Sequence, residues 1–165
     1  MINIRNALFA AGIMLGVGSP LQAAEIEIKM LNKGADGGYM VFEPNFVEAA
    51  PGDTIKFVAA DQGHDSVSMK GMLPEGAAEW KGRLSQEISV VVDKPGIYGY
   101  KCEPHYGMGM VGLIVVGKDT HNLEAARQVK QMGKAKKAFS ELLDKAAEIK
   151  AAEAVQPSPT TLAAR

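Results

Sequence analysis

Ile97-Tyr98-Gly99-Tyr100-Lys101-Cys102-Glu103-Pro104-His105-Tyr106-Gly107-Met108-Gly109-Met110-Val111-Gly112-Leu113-Ile114-Val115-Val116 joins two strand-forming runs through a short loop. The first run follows a Lys94-Pro95-Gly96 turn and ends at Cys102. The second is a continuous apolar, β-branched run, the pattern of a buried strand. The loop holds the only cysteine of the chain, a histidine three residues later and a methionine five residues after that. A thiolate, an imidazole and a thioether form a soft ligand set suited to copper cycling between Cu(I) and Cu(II). His64, far upstream, supplies a fourth ligand and would staple the loop to a different part of the fold.

Outward from this stretch, the chain before it is strand-like at short intervals. Glu25 to Met30 alternates strictly, which turns Ile26, Ile28 and Met30 inward. Tyr39 to Phe42 and Asn45 to Glu48 read as strands interrupted by Pro44, and Thr54 to Val58 alternates again after Pro51-Gly52-Asp53. Ser66 to Arg83 reads as loop with at most one short helix, and Glu87 to Val92 is β-branched. Regularly spaced strands with Gly/Pro turns predict an all-β sandwich or barrel.

Composition shifts near Lys118. Thr120 or Asn122 can cap a helix from Leu123 to about Met132, which Gly133 ends. A second helix, Lys134 to about Glu153, carries Ala138, Phe139, Leu142, Leu143, Ala146 and Ile149 on one face. Glu141 and Lys145 are spaced to pair. These helices are expected to pack on the sandwich.

The ends read differently. Residues 1–23 have the pattern of a secretory signal: Arg5, an apolar run from Ala7 to Gly18, and cleavage after Ala23 or Ala24. The expected organisation is a signal peptide over 1–23, a sandwich over 24–117, helices over 118–154 and a disordered tail over 155–165, rich in Ser, Thr and Pro. Export implies an oxidising compartment, where a lone thiol needs a use or protection, and a bound metal gives it both.

The net charge of −1 hides an asymmetry. Residues 25–117 carry 8 basic and 13 acidic side chains, and residues 118–165 carry 9 and 6. Neither part has the basic excess of a nucleic-acid binder. One Cys is too few for a zinc finger, and the Cys-x-x-Cys-His haem signature is absent. A Cys–His nucleophile pair would not need Met110. Two imidazoles and a thiolate with a weak axial thioether form the blue-copper arrangement, which leaves no open position for a substrate. The chemistry left is electron transfer, not catalysis. Copper storage or delivery without redox turnover is the alternative.

Cys102-x-x-His105-x-x-x-x-Met110 with the upstream Gly63-His64 resembles the cupredoxins. Met30 to Gly34, Met40 to Pro44, Pro51 to Thr54, Gly71 to Ala77 and Pro104 to Met110 are similar to segments of the pseudoazurins in particular, as are the two C-terminal helices. The resemblance implies a Greek-key sandwich of about eight strands and one type 1 copper. By matching position, the ligands are His64, Cys102, His105 and Met110, and His105 is the electron port. It also implies a monomeric periplasmic carrier, not membrane-bound once the signal is removed. Its partners would be copper nitrite reductase, another denitrification enzyme or a cytochrome c. A docking ring of basic residues would draw on Lys33, Lys70, Lys81, Arg83 and Lys101, with Gln62, Glu79 and Glu103 diluting it.

Two departures stand out. Asp65 follows the first His where that family usually has Asn, and Glu103 follows the Cys where Thr or Ser is usual. Both would place carboxylates near the metal and favour Cu(II), which lowers the reduction potential. Among other residues, Trp80 is expected as a surface aromatic near the partner face and Met108 as loop packing. Tyr98 and Tyr100 are expected to pack in their strand, and His121 to lie on the surface at a helix start.

Overall fold

The computed structural model describes residues 22–155. The segments read as a signal and as a disordered tail fall almost entirely outside them. Eight strands and two helices follow in order: β1 Glu25–Lys33, β2 Tyr39–Glu43, β3 Phe46–Ala49, β4 Asp53–Val58, β5 Val67–Ser68, β6 Ile88–Val92, β7 Gly96–Lys101, β8 Val111–Val116, α1 Leu123–Gln128 and α2 Ala135–Val155. One 3-10 turn, Tyr106–Met108, interrupts the link between β7 and β8.

The strands form two four-stranded sheets, ordered β2-β1-β4-β6 and β3-β8-β7-β5. The chain changes sheet between β2 and β3, at Pro44, which has no N–H to give a ladder. β3 then runs parallel to β8, just as β1 runs parallel to β4. These crossings make the sandwich of the sequence reading.

Two cores result. Between the sheets lie Ile28, Met30, Phe42, Ile55, Phe57, Val92, Tyr98, Tyr100, Ile114 and Val116, with Cys102 and Met110 at one end of the same cluster. Behind the second sheet, Ile97, Leu113 and Val115 meet Leu123, Phe139, Leu142 and Ala146 of the helices. β8 is therefore buried on both faces, which explains why its six residues are apolar without alternation. Each large side chain buried under α2 contributes about 1.5–3 kcal/mol of transfer free energy.

Tyr100 and Gly112 sit opposite each other on β7 and β8. A Cβ at position 112 would come within 2.2 Å of the Tyr100 hydroxyl, so only glycine admits the ring. That hydroxyl is buried and finds no partner among the described residues, and burial pushes its pKa far up.

The Ser66–Arg83 region is loop, as read, with β5 and turns and no helix. Several expectations change in detail. α1 stops at Gln128, short of Met132. Asn122 does not cap it. Its Oδ1 accepts from the Ile97 N–H at 2.8 Å and its Nδ2 donates to the Ile97 carbonyl at 2.9 Å, docking the helix on β7. Glu141 pairs with Lys137 at 3.6 Å, while Lys145 lies over the Phe46 ring at 4.2 Å. Trp80 is not a surface aromatic. It is 9% exposed and stacks on Phe57, because its indole N–H finds the Ser66 hydroxyl at 3.0 Å and so can enter the core. Met108, expected to pack, is instead 49% exposed at the loop tip. Tyr98 and Tyr100 are buried, and His121 is exposed and paired with Asp119 at 2.9 Å.

Candidate metal centre

Cys102 follows the last residue of β7, and Met110 immediately precedes β8. The register that pairs Lys101 with Val111 closes the loop, and Cys102 N donates to the Met110 carbonyl at 3.0 Å. Inside it, Met108 N donates to the His105 carbonyl and Gly109 N to the Tyr106 carbonyl, both at 3.0 Å. Gly109 takes φ 94°, a conformation that glycine adopts without strain. The loop is thus a compact hook that carries its polar ends inward.

His64 comes from the segment after β4. Ser85 N donates to its carbonyl at 2.7 Å, and the Ser85 hydroxyl accepts from Gly63 N at 2.8 Å. His64 Nε2 donates to Asn32 Oδ1 at 3.0 Å. This bond fixes the tautomer and leaves Nδ1 as a lone-pair donor facing the loop. Sequence reasoning missed Asn32 and Ser85 as supports. For Asn32 the only signal was a polar residue inside an otherwise strand-like run.

Three donor atoms converge. His64 Nδ1 and His105 Nδ1 are 3.1 Å apart, and Cys102 Sγ lies 3.5 Å from His105 Nδ1 and 3.8 Å from His64 Nδ1. An ion bound to nitrogen at about 2.0 Å and to sulfur at about 2.3 Å in a trigonal plane needs separations of roughly 3–4 Å. The donor set and its spacing therefore fit one soft metal ion. His64, Cys102 and Met110 are fully buried, whereas His105 is half-buried.

Burial pushes the Cys102 thiol up to about 11. Its sulfur thus becomes a ligand when a metal displaces the proton. Burial, and then the neighbouring His105, lower the His64 pKa, which keeps that ring neutral and able to ligate.

The two carboxylates occupy different environments. Asp65 is buried, and its Oδ1 accepts from the Glu103 N–H at 2.7 Å, tying the His64 segment to the Cys102 loop. Glu103 turns outward to Lys81 at 2.8 Å, and that contact lowers its pKa. Of the expected docking cations, Lys33, Lys70 and Arg83 are exposed. Lys81 is committed to Glu103, and Lys101 lies over the Tyr106 ring at 5.1 Å.

The family model for copper binding proteins, plastocyanin/azurin family, matches residues 28–117. The chain belongs to this family. Within it, the chain is 47% identical over 127 residues to the pseudoazurin of Paracoccus pantotrophus, an alignment covering 77% of this chain and 87% of that one. The crystal structure of pseudoazurin from Methylobacterium extorquens AM1 superposes with a TM-score of 0.70 at 48% identity, covering 73% of this chain and 98% of that one. Native pseudoazurin from Hyphomicrobium denitrificans gives a TM-score of 0.70 at 43% identity, with 73% and 97% covered. The chain belongs with the pseudoazurins among the copper-binding cupredoxins, and its own His64, Cys102 and His105 cluster is consistent with one type 1 copper.

Proposed function

We propose that this chain carries single electrons, holding one type 1 copper ion with His64, Cys102, His105 and Met110. Bound copper supplies the one-electron Cu(I)/Cu(II) couple. The protein's own part is to hold the donors still in both states. Asn32 orients His64, Asp65 ties the two ligand segments together, and the 3-10 turn folds the Cys102–Met110 loop. Met110 is fully buried in the same cluster as Cys102 and in this reading supplies the fourth ligand, leaving no place for a substrate.

The observation that carries this reading is the convergence of two imidazoles and a thiolate, with one imidazole half-exposed. His105 is the one ligand that is not fully buried, and in this reading its ring edge is the exit for the electron. The acceptor in this reading is a periplasmic reductase such as copper nitrite reductase, or another denitrification enzyme, with a cytochrome c as a further partner. Lys33, Lys70, Lys81, Arg83 and Lys101 would steer the encounter, with the committed Lys81 contributing least. The 1–23 leader would deliver the chain to the periplasm. Among the described residues no helix is long and apolar enough to cross a membrane.

Reduction of candidate reductases by the purified, reduced protein tests the proposal. Transfer that slows with ionic strength and with charge reversal at Lys33 or Lys101 supports it. Copper bound without fast, reversible exchange would favour storage or delivery.

A further inference from the structure

The Cys102–Met110 loop is held from inside by its donors. Its outer side has a separate support, which belongs to the C-terminal helices. The Tyr106 hydroxyl donates to Gln131 Oε1, in the connection between α1 and α2. Lys134 N donates to the Gly107 carbonyl at 3.0 Å. Gly133 lies so close that an added Cβ would meet the Gly107 oxygen at 2.5 Å. Lys101 Nζ lies 5.1 Å from the Tyr106 ring centroid, so a β7 residue also reaches this tyrosine.

Gln131 is itself anchored. Its Nε2 donates to Met72 Sδ at 3.3 Å, and Met72 is fully buried in the core under the helices. The amide therefore has one orientation, with its oxygen toward Tyr106. Tyr106 is bonded to His105, the half-exposed donor. A path of direct contacts thus runs from the helix core through Met72, Gln131 and Tyr106 to the one ligand that burial does not immobilise.

We infer that Gln131 and Tyr106 are positioning residues that clamp His105, making the α1–α2 connection part of the frame of the metal centre. The inference rests on the copper reading above. Without the clamp, the His105 ring and the loop tip would share one hinge of small residues, Gly107 and Gly109. With it, the loop keeps one geometry in both oxidation states, which is what fast electron exchange requires.

The test compares full-length wild type with Tyr106→Phe, Gln131→Leu, the double variant, Gln131→Glu and Lys130→Ala. Each is loaded with one equivalent of copper. The readouts are the ratio of the thiolate-to-copper absorption bands and the rate of copper release to a chelator. The two single variants should each change the band ratio and speed release roughly tenfold, the low end for lost outer partners of a ligand. The double variant should be no worse than the more affected single one, because both remove the same bond. Gln131→Glu keeps an acceptor for Tyr106 but loses the donor to Met72, so its band ratio and release rate should fall between those of wild type and Gln131→Leu. Lys130→Ala, on the same connection, should behave as wild type.

Variants with lowered thermal stability but unchanged spectrum and release rate would overturn the inference and leave a merely structural contact. A wild type without the absorption band would overturn the copper reading instead. Amide exchange on the copper-free chain then decides the clamp: Lys134 N–H should be protected, and Gln131→Leu should remove the protection. Equal exchange in both proteins would refute it.

Discussion

Replacing Asp65 by Asn should raise the reduction potential by roughly 100 mV. The substitution is clean, because the amide oxygen can still accept from the Glu103 N–H that now lies 2.7 Å from Asp65 Oδ1. The charge is removed, and the other carboxylate oxygen becomes an NH2 donor, which near the Cys102 sulfur would shift the potential in the same upward direction. Asp65 is buried, and its carboxylate is close enough to Cys102 to raise that thiol's pKa, although burial is the larger cause. At an effective dielectric of about 20, a unit charge on the order of 5–8 Å from a metal centre is worth roughly 2–3 kcal/mol. For one electron that is on the order of 100 mV. The sign follows because the carboxylate stabilises the more positive Cu(II) state. Glu103 behaves differently: it is exposed and neutralised by Lys81 at 2.8 Å. Glu103→Thr should therefore move the potential upward by no more than about 20 mV, the scale for a solvent-screened charge. Protein-film voltammetry of the two variants reads both values. An unchanged or lowered potential in Asp65→Asn, with the blue spectrum intact, would refute the electrostatic argument.

Asn32→Ala frees the His64 ring and should weaken copper binding by roughly 10–100-fold in chelator competition, with the fold retained by circular dichroism. Because burial holds the Cys102 thiol up to about 11, copper binding to the empty protein must release its proton. Apparent affinity should thus climb about tenfold per pH unit from pH 7 to pH 10, a slope that isothermal titration checks and Cys102→Ser abolishes. Gly112→Ala drives a methyl into both the ring carbon Cζ and the hydroxyl of Tyr100 and should cost at least about 1–3 kcal/mol in urea unfolding, a loss that Tyr100→Phe, which keeps the ring carbon, should not recover in full. Phe139→Ala under α2 should cost about 3–5 kcal/mol and lower the midpoint without changing the copper spectrum.

What was legible in the chain depended on local pattern. Alternation in β1 and β4 and the unbroken apolar run of β8 each report a burial environment, and the environments are as read. The ligand loop was legible because three donor types fall in nine consecutive residues between two strands. Residues whose role depends on a distant partner were not. Asn32 reaches His64 and Asn122 reaches Ile97 across spans of 32 and 25 residues. Asn122 looked like a helix cap because capping is the local option for that side chain, yet a strand edge claimed it. Trp80 looked like a surface group for the same reason: the Ser66 hydroxyl that lets it enter the core is 14 residues away. The departures at Asp65 and Glu103 were visible as letters, but not that one is buried and the other paired outward.

The central claim is a single redox copper held by His64, Cys102, His105 and Met110. Titrating the metal-free protein with Cu(II) while recording the visible spectrum, followed by a one-electron reduction and reoxidation cycle, tests it most directly. The account predicts an intense thiolate-to-copper band that saturates at one equivalent, vanishes on reduction and returns in full, and that Cys102→Ser never develops. Copper taken up without that band, or a band that does not return after one cycle, would contradict it.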